Sequence, residues 1–172
     1  NKKRRHRPTN LNKILKKLTK QVKVEAQKRC IDIKTNFTNH GAKFFICSNK
    51  ELLQQALANL IENAIVYTKP NSKITLETKL LKSQLQITVK DQGTGIPFNK
   101  QALIFTPFCR LQHTMKKNPS GVGLGLTISQ LFINKLGGSI GVKSKRHHGS
   151  RFWIKLPVIK NGKANSYTVS RK

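Results

Sequence analysis

Acidic side chains are scarce in this chain. Six Asp and Glu stand against 34 Lys and Arg in 172 residues, a net charge of +28. A basic excess of this size fits phosphate contacts with nucleic acid or an anionic membrane, or else a solvated cationic surface. The lysines are scattered along the chain, with one dense cluster at residues 1–7 (NKKRRHR). Aromatic residues are also few, at 6% of the chain, and do not interleave with the cations as in single-strand binders, which argues against nucleic acid as the main partner. The three cysteines (Cys30, Cys47 and Cys109) are an odd number without a CxxC pair, so neither a disulfide scaffold nor a zinc site is indicated. Reduced thiols fit a cytoplasmic location. No apolar run approaches the ~18–20 residues of a membrane span, and no apolar segment of signal-peptide type follows the basic start. His147-His148 lacks further ligands at metal spacing and reads as a solvated loop.

What is present is a regular alternation of helical and strand patterns. Leu11, Ile14, Leu15, Leu18 and Val22 recur at helical spacing behind Pro8-Thr9-Asn10. Ile31, Ile33 and Phe37 alternate, and Asn39-His40-Gly41 is expected to turn the chain into a strand at 44–47. Ser48-Asn49-Lys50-Glu51 has the capping-box form and predicts a long helix to about Thr68. Ile74 to Leu80 and Leu85 to Val89 alternate on either side of Lys82-Ser83, a hairpin. Residues 91–121 are irregular, and compact domains rarely keep such a loop without a use. A helix is predicted from Gly121 to Leu136, then a hairpin with strands at 140–142 and 152–156. The fold expected is α+β: a two-layer α/β sandwich with a mixed, mostly antiparallel sheet and helices on one face.

Three places carry chemistry. On the long helix Leu53, Leu57, Leu60, Ile61 and Ala64 form the core arc, while Asn59, Asn63 and Tyr67 fall on a second arc about 100° away. Paired carboxamide oxygens suit a hard cation such as Mg²⁺, which keeps waters and bridges phosphates; two solvated amides would carry the same letters. In Lys90-Asp91-Gln92-Gly93-Thr94-Gly95-Ile96-Pro97, Asp91 shares the inward face of Leu85, Ile87 and Val89, where a carboxyl needs a hydrogen-bond donor. Gly93 and Gly95 would let backbone approach a flat ligand, though an ordinary turn would read alike. Gly121-Val122-Gly123-Leu124-Gly125 runs into a helix, a cradle for phosphate or a flexible hinge. It is neither a Walker A loop nor GxGxxG, since Leu126 stands at the last glycine position.

Alone each element is ambiguous; their order is not. Residues 59–64 (NLIENA), 91–96 (DQGTGI), 105–108 (FTPF) and 121–126 (GVGLGL) resemble the N, G1, F and G2 boxes of the histidine-kinase catalytic domain. That family belongs to the GHKL ATPases, which have the Bergerat ATP-binding fold. Residues 137–157 resemble the end of the same domain, and the whole resemblance runs over 8–160. It implies ATP and Mg²⁺ as cofactors and transfer of the γ-phosphoryl group to a histidine. By this resemblance Asp91 accepts from the adenine amine, and Asn59 and Asn63 hold Mg²⁺ and phosphates. Tyr67 and Ile96 line the pocket, and Gly93, Gly95, Gly121, Gly123, Leu124 and Gly125 shape it. Arg110 approaches the γ-phosphate, residues 109–120 form a lid, and Phe105 and Phe108 anchor that lid by packing.

The same resemblance marks departures. Gyrase-type, chaperone-type and serine-kinase relatives carry a glutamate base where this chain has Asn59, so hydrolysis of ATP by water is expected to be slow. Glu62, about 60° around the helix, is a weaker candidate to assist an acceptor. Val66 replaces a common Lys or Arg, leaving Arg110, Lys116 and Lys117 for that phosphate contact. No H-E-x-x-[TN]-P motif occurs, since His6 is followed by Arg7-Pro8-Thr9. The expected partners are an upstream or separate phosphoacceptor and dimerisation domain, through which alone the chain would form homodimers, and a response-regulator receiver domain. Residues 1–7 then read as a basic linker from that domain, 8–160 as the ATPase domain and 161–172 as a polar, disordered tail. The competing functions are a GHKL ATPase or serine kinase, and a degenerate, non-catalytic basic scaffold or nucleic-acid binder.

Overall fold

The computed structural model describes residues 8–37, 45–47, 49–111 and 121–158. The proposed linker 1–7 and tail 161–172 lie outside those residues, as do Lys116 and Lys117.

Asn10 opens the first helix from an extended conformation, with its Oδ1 accepting from Lys13 N at 3.2 Å. This satisfies one of the orphan donors at a helix start. Helix α1 (Leu11–Lys28) buries Leu11, Ile14, Leu15 and Leu18 as its spacing predicts. The residues in front of it, Pro8–Asn10, form a short strand β1, which pairs antiparallel with β3 (Phe45–Cys47). The strand expected at 44–47 is present at Phe45–Cys47, and the turn expected at Asn39-His40-Gly41 lies outside the described residues. Strand β2 (Asp32–Phe37) instead runs parallel to β4 (Lys73–Leu81) at the edge of the main sheet. Apolar alternation defines a strand but not its partner, and here each strand found one far away in sequence.

Helix α2 (Lys50–Tyr67) is capped by Asn49, and Ser48 of the expected capping box lies outside the described residues. The Asn49 Oδ1 accepts from Glu51 N at 3.0 Å and Leu52 N at 3.3 Å. Leu53, Leu57, Leu60, Ile61 and Ala64 are all buried.

The main sheet has the order β2-β4-β5-β7-β6, with β5 at Gln84–Lys90, β6 at Ser139–Ser144 and β7 at Ser150–Pro157. Only the β2–β4 contact is parallel, so the sheet is mixed and mostly antiparallel. Ile74, Leu76, Leu85, Ile87, Val89, Ile154 and Leu156 point inward and join the helix residues in one core. Two layers result, as expected. Helix α3 (Gly125–Lys135) starts four residues later than its glycines suggested, leaving Gly121 to Leu124 as loop. Gly123, at φ +80°, occupies a left-handed conformation that cannot continue a right-handed helix. Between β5 and α3 the irregular stretch holds two 3₁₀ turns, Phe98–Lys100 and Leu103–Phe105. Among the described residues no helix is long and apolar enough to cross a membrane.

Candidate functional site

The alternation of β5 carries one residue past the strand and delivers Asp91 to the core side, where it is 5% exposed. Its Oδ1 accepts from Gly93 N at 2.8 Å and from Ser150 N at 3.1 Å. Two backbone donors thus orient the carboxyl before any ligand arrives. Glycine is required on both sides of it. A Cβ at Gly93 would stand 2.4 Å from the Tyr67 carbonyl oxygen, where the end of α2 bridges to the turn through Thr68. At Gly149, φ +83°, a Cβ would stand 2.1 Å from the Asp91 carbonyl oxygen. The β6–β7 turn is also tied to this loop through His147 N to Thr94 O at 2.7 Å and Ile96 N to the Ser144 hydroxyl at 2.8 Å. Ser144, Gly149 and Ser150 were not foreseen, because nothing local in a hairpin shows which distant loop it will clamp.

At the other end, Asn59, Asn63 and Tyr67 descend one side of α2 into the same cleft. Asn59 Nδ2 donates to Gly125 O at 3.0 Å and to the Ser129 hydroxyl at 3.2 Å, and that hydroxyl donates to Gly125 O at 2.8 Å. A carbonyl oxygen only accepts, so the amide must turn its NH₂ toward α3. The Asn59 carbonyl oxygen is the atom this leaves for the cleft. Ser129 is fully buried. Its signal was legible: a polar residue on the stripe it shares with Ile133 and Leu136, at i, i+4, i+7.

The cleft measures about 290 Å³. It is lined jointly by Asn59, Asn63, Tyr67, Asp91, Gly95, Ile96, Arg110, Gly121, Gly123, Leu124 and Gly125. Gly93 stands just behind, holding Asp91. Glu62 also reaches the cleft, from an exposed position. Of the expected lid only 109–111 and 121 onward are described. The two phenylalanines part company: Phe105 is half-buried against the core, while Phe108 is 69% exposed. Phe108 has φ +60°, and the lid it is expected to anchor lies mostly outside the described residues. Cys30 and Cys109 are free thiols. Among the described residues no three His, Cys, Asp or Glu come together as a metal cage, and His147 and His148 are exposed on their turn.

A two-layer sandwich whose cleft is lined by a buried acid and a glycine-edged helix start has room and polar groups for a small ligand. The chain belongs to the histidine kinase-, DNA gyrase B- and HSP90-like ATPase family, whose model matches residues 48–160. Its relatives include the sensor protein GacS of Pseudomonas syringae, 37% identical over 123 residues, covering 68% of this chain and 14% of that protein. The sensor protein SrrB of Staphylococcus aureus is 34% identical over 141 residues, covering 81% of this chain and 24% of that one. The chain therefore spans less than a quarter of the length of these relatives. Among solved structures, the catalytic domain of the histidine kinase ThkA aligns with a TM-score of 0.75 at 25% identity, covering 87% of this chain and 93% of its own. The mycobacterial sensor histidine kinase MprB has the same fold, with a TM-score of 0.77 at 22% identity over 89% of this chain and 97% of its own.

Proposed function

We propose that this chain is the ATP-binding catalytic domain of a sensor histidine kinase, transferring the γ-phosphoryl group of ATP to a histidine on a separate phosphoacceptor domain. One observation carries the reading: Asp91 and the Asn59, Asn63 and Arg110 side chains line opposite ends of one cleft. Asp91 accepts from the adenine 6-amino group, with Tyr67 and Ile96 flanking the purine. The backbone of Gly121 to Gly125 and the uncapped start of α3 face the phosphates, with N–H groups and a positive dipole end. Arg110 approaches the γ-phosphate.

The donor set fits Mg²⁺, because Asn59 offers its carbonyl oxygen by construction and Asn63 lies one turn below it. Held by these two amides, Mg²⁺ would neutralise charge across the β- and γ-phosphates. In the transfer the bond from the γ-phosphorus to its bridging oxygen breaks, ADP leaves, and a phosphorus–nitrogen bond forms to the imidazole. Such a reaction asks the protein for position and charge more than for a base. Asn59 cannot take a proton from water, so little hydrolysis accompanies the transfer. The acceptor histidine belongs to a dimerisation domain, a receiver domain takes the phosphoryl group next, and the reaction runs in the cytoplasm.

The test supplies the chain with labelled ATP and the histidine-bearing dimerisation domain of a related kinase. Acid-labile, base-stable label on that domain is the expected result. Steady phosphate release with no labelled histidine would replace this reading with a simple ATPase.

A further inference from the structure

We infer that Glu62 makes the cleft selective for nucleotide that carries its divalent cation and turns metal-free nucleotide away, an inference that rests on the ATP-binding reading above. The six acids of this chain can be placed one by one. Glu25 pairs with Lys28 at 3.6 Å, and Glu51 sits in the first turn of α2, where the helix dipole favours it. On the sheet Asp32 stands in register with Lys73, and Glu77 with Thr88. Asp91 is held by backbone donors at the other end of the cleft. Glu62 alone stands on the wall that carries Asn59 and Asn63, exposed and without an ion pair among the described residues. No cation lies one turn away on the helix, where Ala58, Asn59, Ile65 and Val66 are its neighbours.

That wall departs from the rest of the chain. Helices α1 and α2 are both 18 residues long, yet α1 carries six lysines and α2 only Lys50, at its start. Among the described residues the cleft is lined by two carboxylates, Asp91 and Glu62, against one guanidinium, Arg110. In a chain of +28 this is a poor reception for a bare triphosphate. At 100° per residue Glu62 and Asn63 stand about 60° and 40° to either side of Asn59. A triphosphate resting against the two amides therefore lies beside a carboxylate. Without a cation it meets like-charge repulsion, which salt screens only partly over a few ångströms. With Mg²⁺ on the phosphates, the charge that Glu62 faces changes sign. Mg²⁺ keeps several of its waters, and an ionised carboxylate is an acceptor for them. Solubility does not call for this acid, since the net charge is already far from zero.

Calorimetric titration of the full chain with a nonhydrolysable ATP analogue, in excess Mg²⁺ and again in EDTA, reads this selectivity as a ratio of two affinities. Glu62→Gln should raise the affinity in EDTA about tenfold and leave the Mg²⁺ affinity level or slightly lower. The ratio then shrinks about tenfold, and the gain in EDTA should fade as salt rises. Glu62→Asp keeps the charge and should keep most of the ratio. Because Glu62 is exposed and unpaired, neither substitution asks the core to adjust. Glu51→Gln makes the same charge change near the start of α2 and should leave both affinities as they are. The inference is overturned if Glu62→Gln leaves the ratio unchanged, if both affinities rise by the same factor, or if Glu51→Gln shrinks the ratio as much. A wild-type chain that binds the analogue in neither buffer would overturn the ATP-binding reading itself, and this inference with it.

Discussion

The two ends of the cleft are built differently. Around Asp91 three backbone segments meet so closely that no side-chain carbon fits at Gly93 or Gly149, and the carboxyl is held by two main-chain donors. Around Asn59 the contacts are side-chain hydrogen bonds to the first turn of α3, and a Cβ at Gly125 would stand an ordinary 3.8 Å from the Asn59 amide. One end is set when the chain folds. At the other end Gly125 has room, although Gly123, at φ +80°, would place a Cβ 3.0 Å from the Phe108 carbonyl carbon.

That contrast can be broken by substitution. The largest effect is expected at Gly149→Ala, which forces a left-handed alanine against the Asp91 carbonyl and should cost about 3 kcal/mol or more in denaturant unfolding. Next comes Asp91→Asn. The two backbone donors can keep their oxygen, but an NH₂ now meets the adenine amine, so calorimetric titration should show ATP binding weakened about 100-fold. Discrimination against GTP should fall as well, since the new donor suits a carbonyl. Arg110→Ala is expected to weaken ATP about tenfold while leaving ADP almost unchanged, a difference that equal losses for both would refute. Ser129→Ala leaves one Asn59 N–H without its acceptor and should lower stability by about 1 kcal/mol. The smallest change belongs to Gly125→Ala, within about 0.5 kcal/mol, because space is available and alanine favours the helix. If Gly125→Ala proved as damaging as Gly149→Ala, the distinction between a rigid and a compliant end would fail.

Much of the site was legible because its parts lie on single elements. The arc of Asn59, Asn63 and Tyr67 follows from helical period, and the inward direction of Asp91 from strand period; both hold in the structure. What could not be read is what those elements meet. The Asn59 amide takes its orientation from Gly125 and Ser129, residues 66 and 70 positions away. The Asp91 carboxyl takes its own from Ser150, 59 positions away. At Phe108 the backbone is left-handed and the side chain exposed, which the letters of a motif do not reveal.

Sequence alone determined the period of the long helices and of the alternating strands and the faces they bury, since these depend on neighbours within a turn or two of chain, and it carried the four boxes in their order. Tertiary structure decided that β2 runs parallel to β4 and β3 joins β1, and that α3 begins at Gly125. Each of those outcomes comes from segments far apart in the chain, and local propensity carries no information about which distant segment will be met.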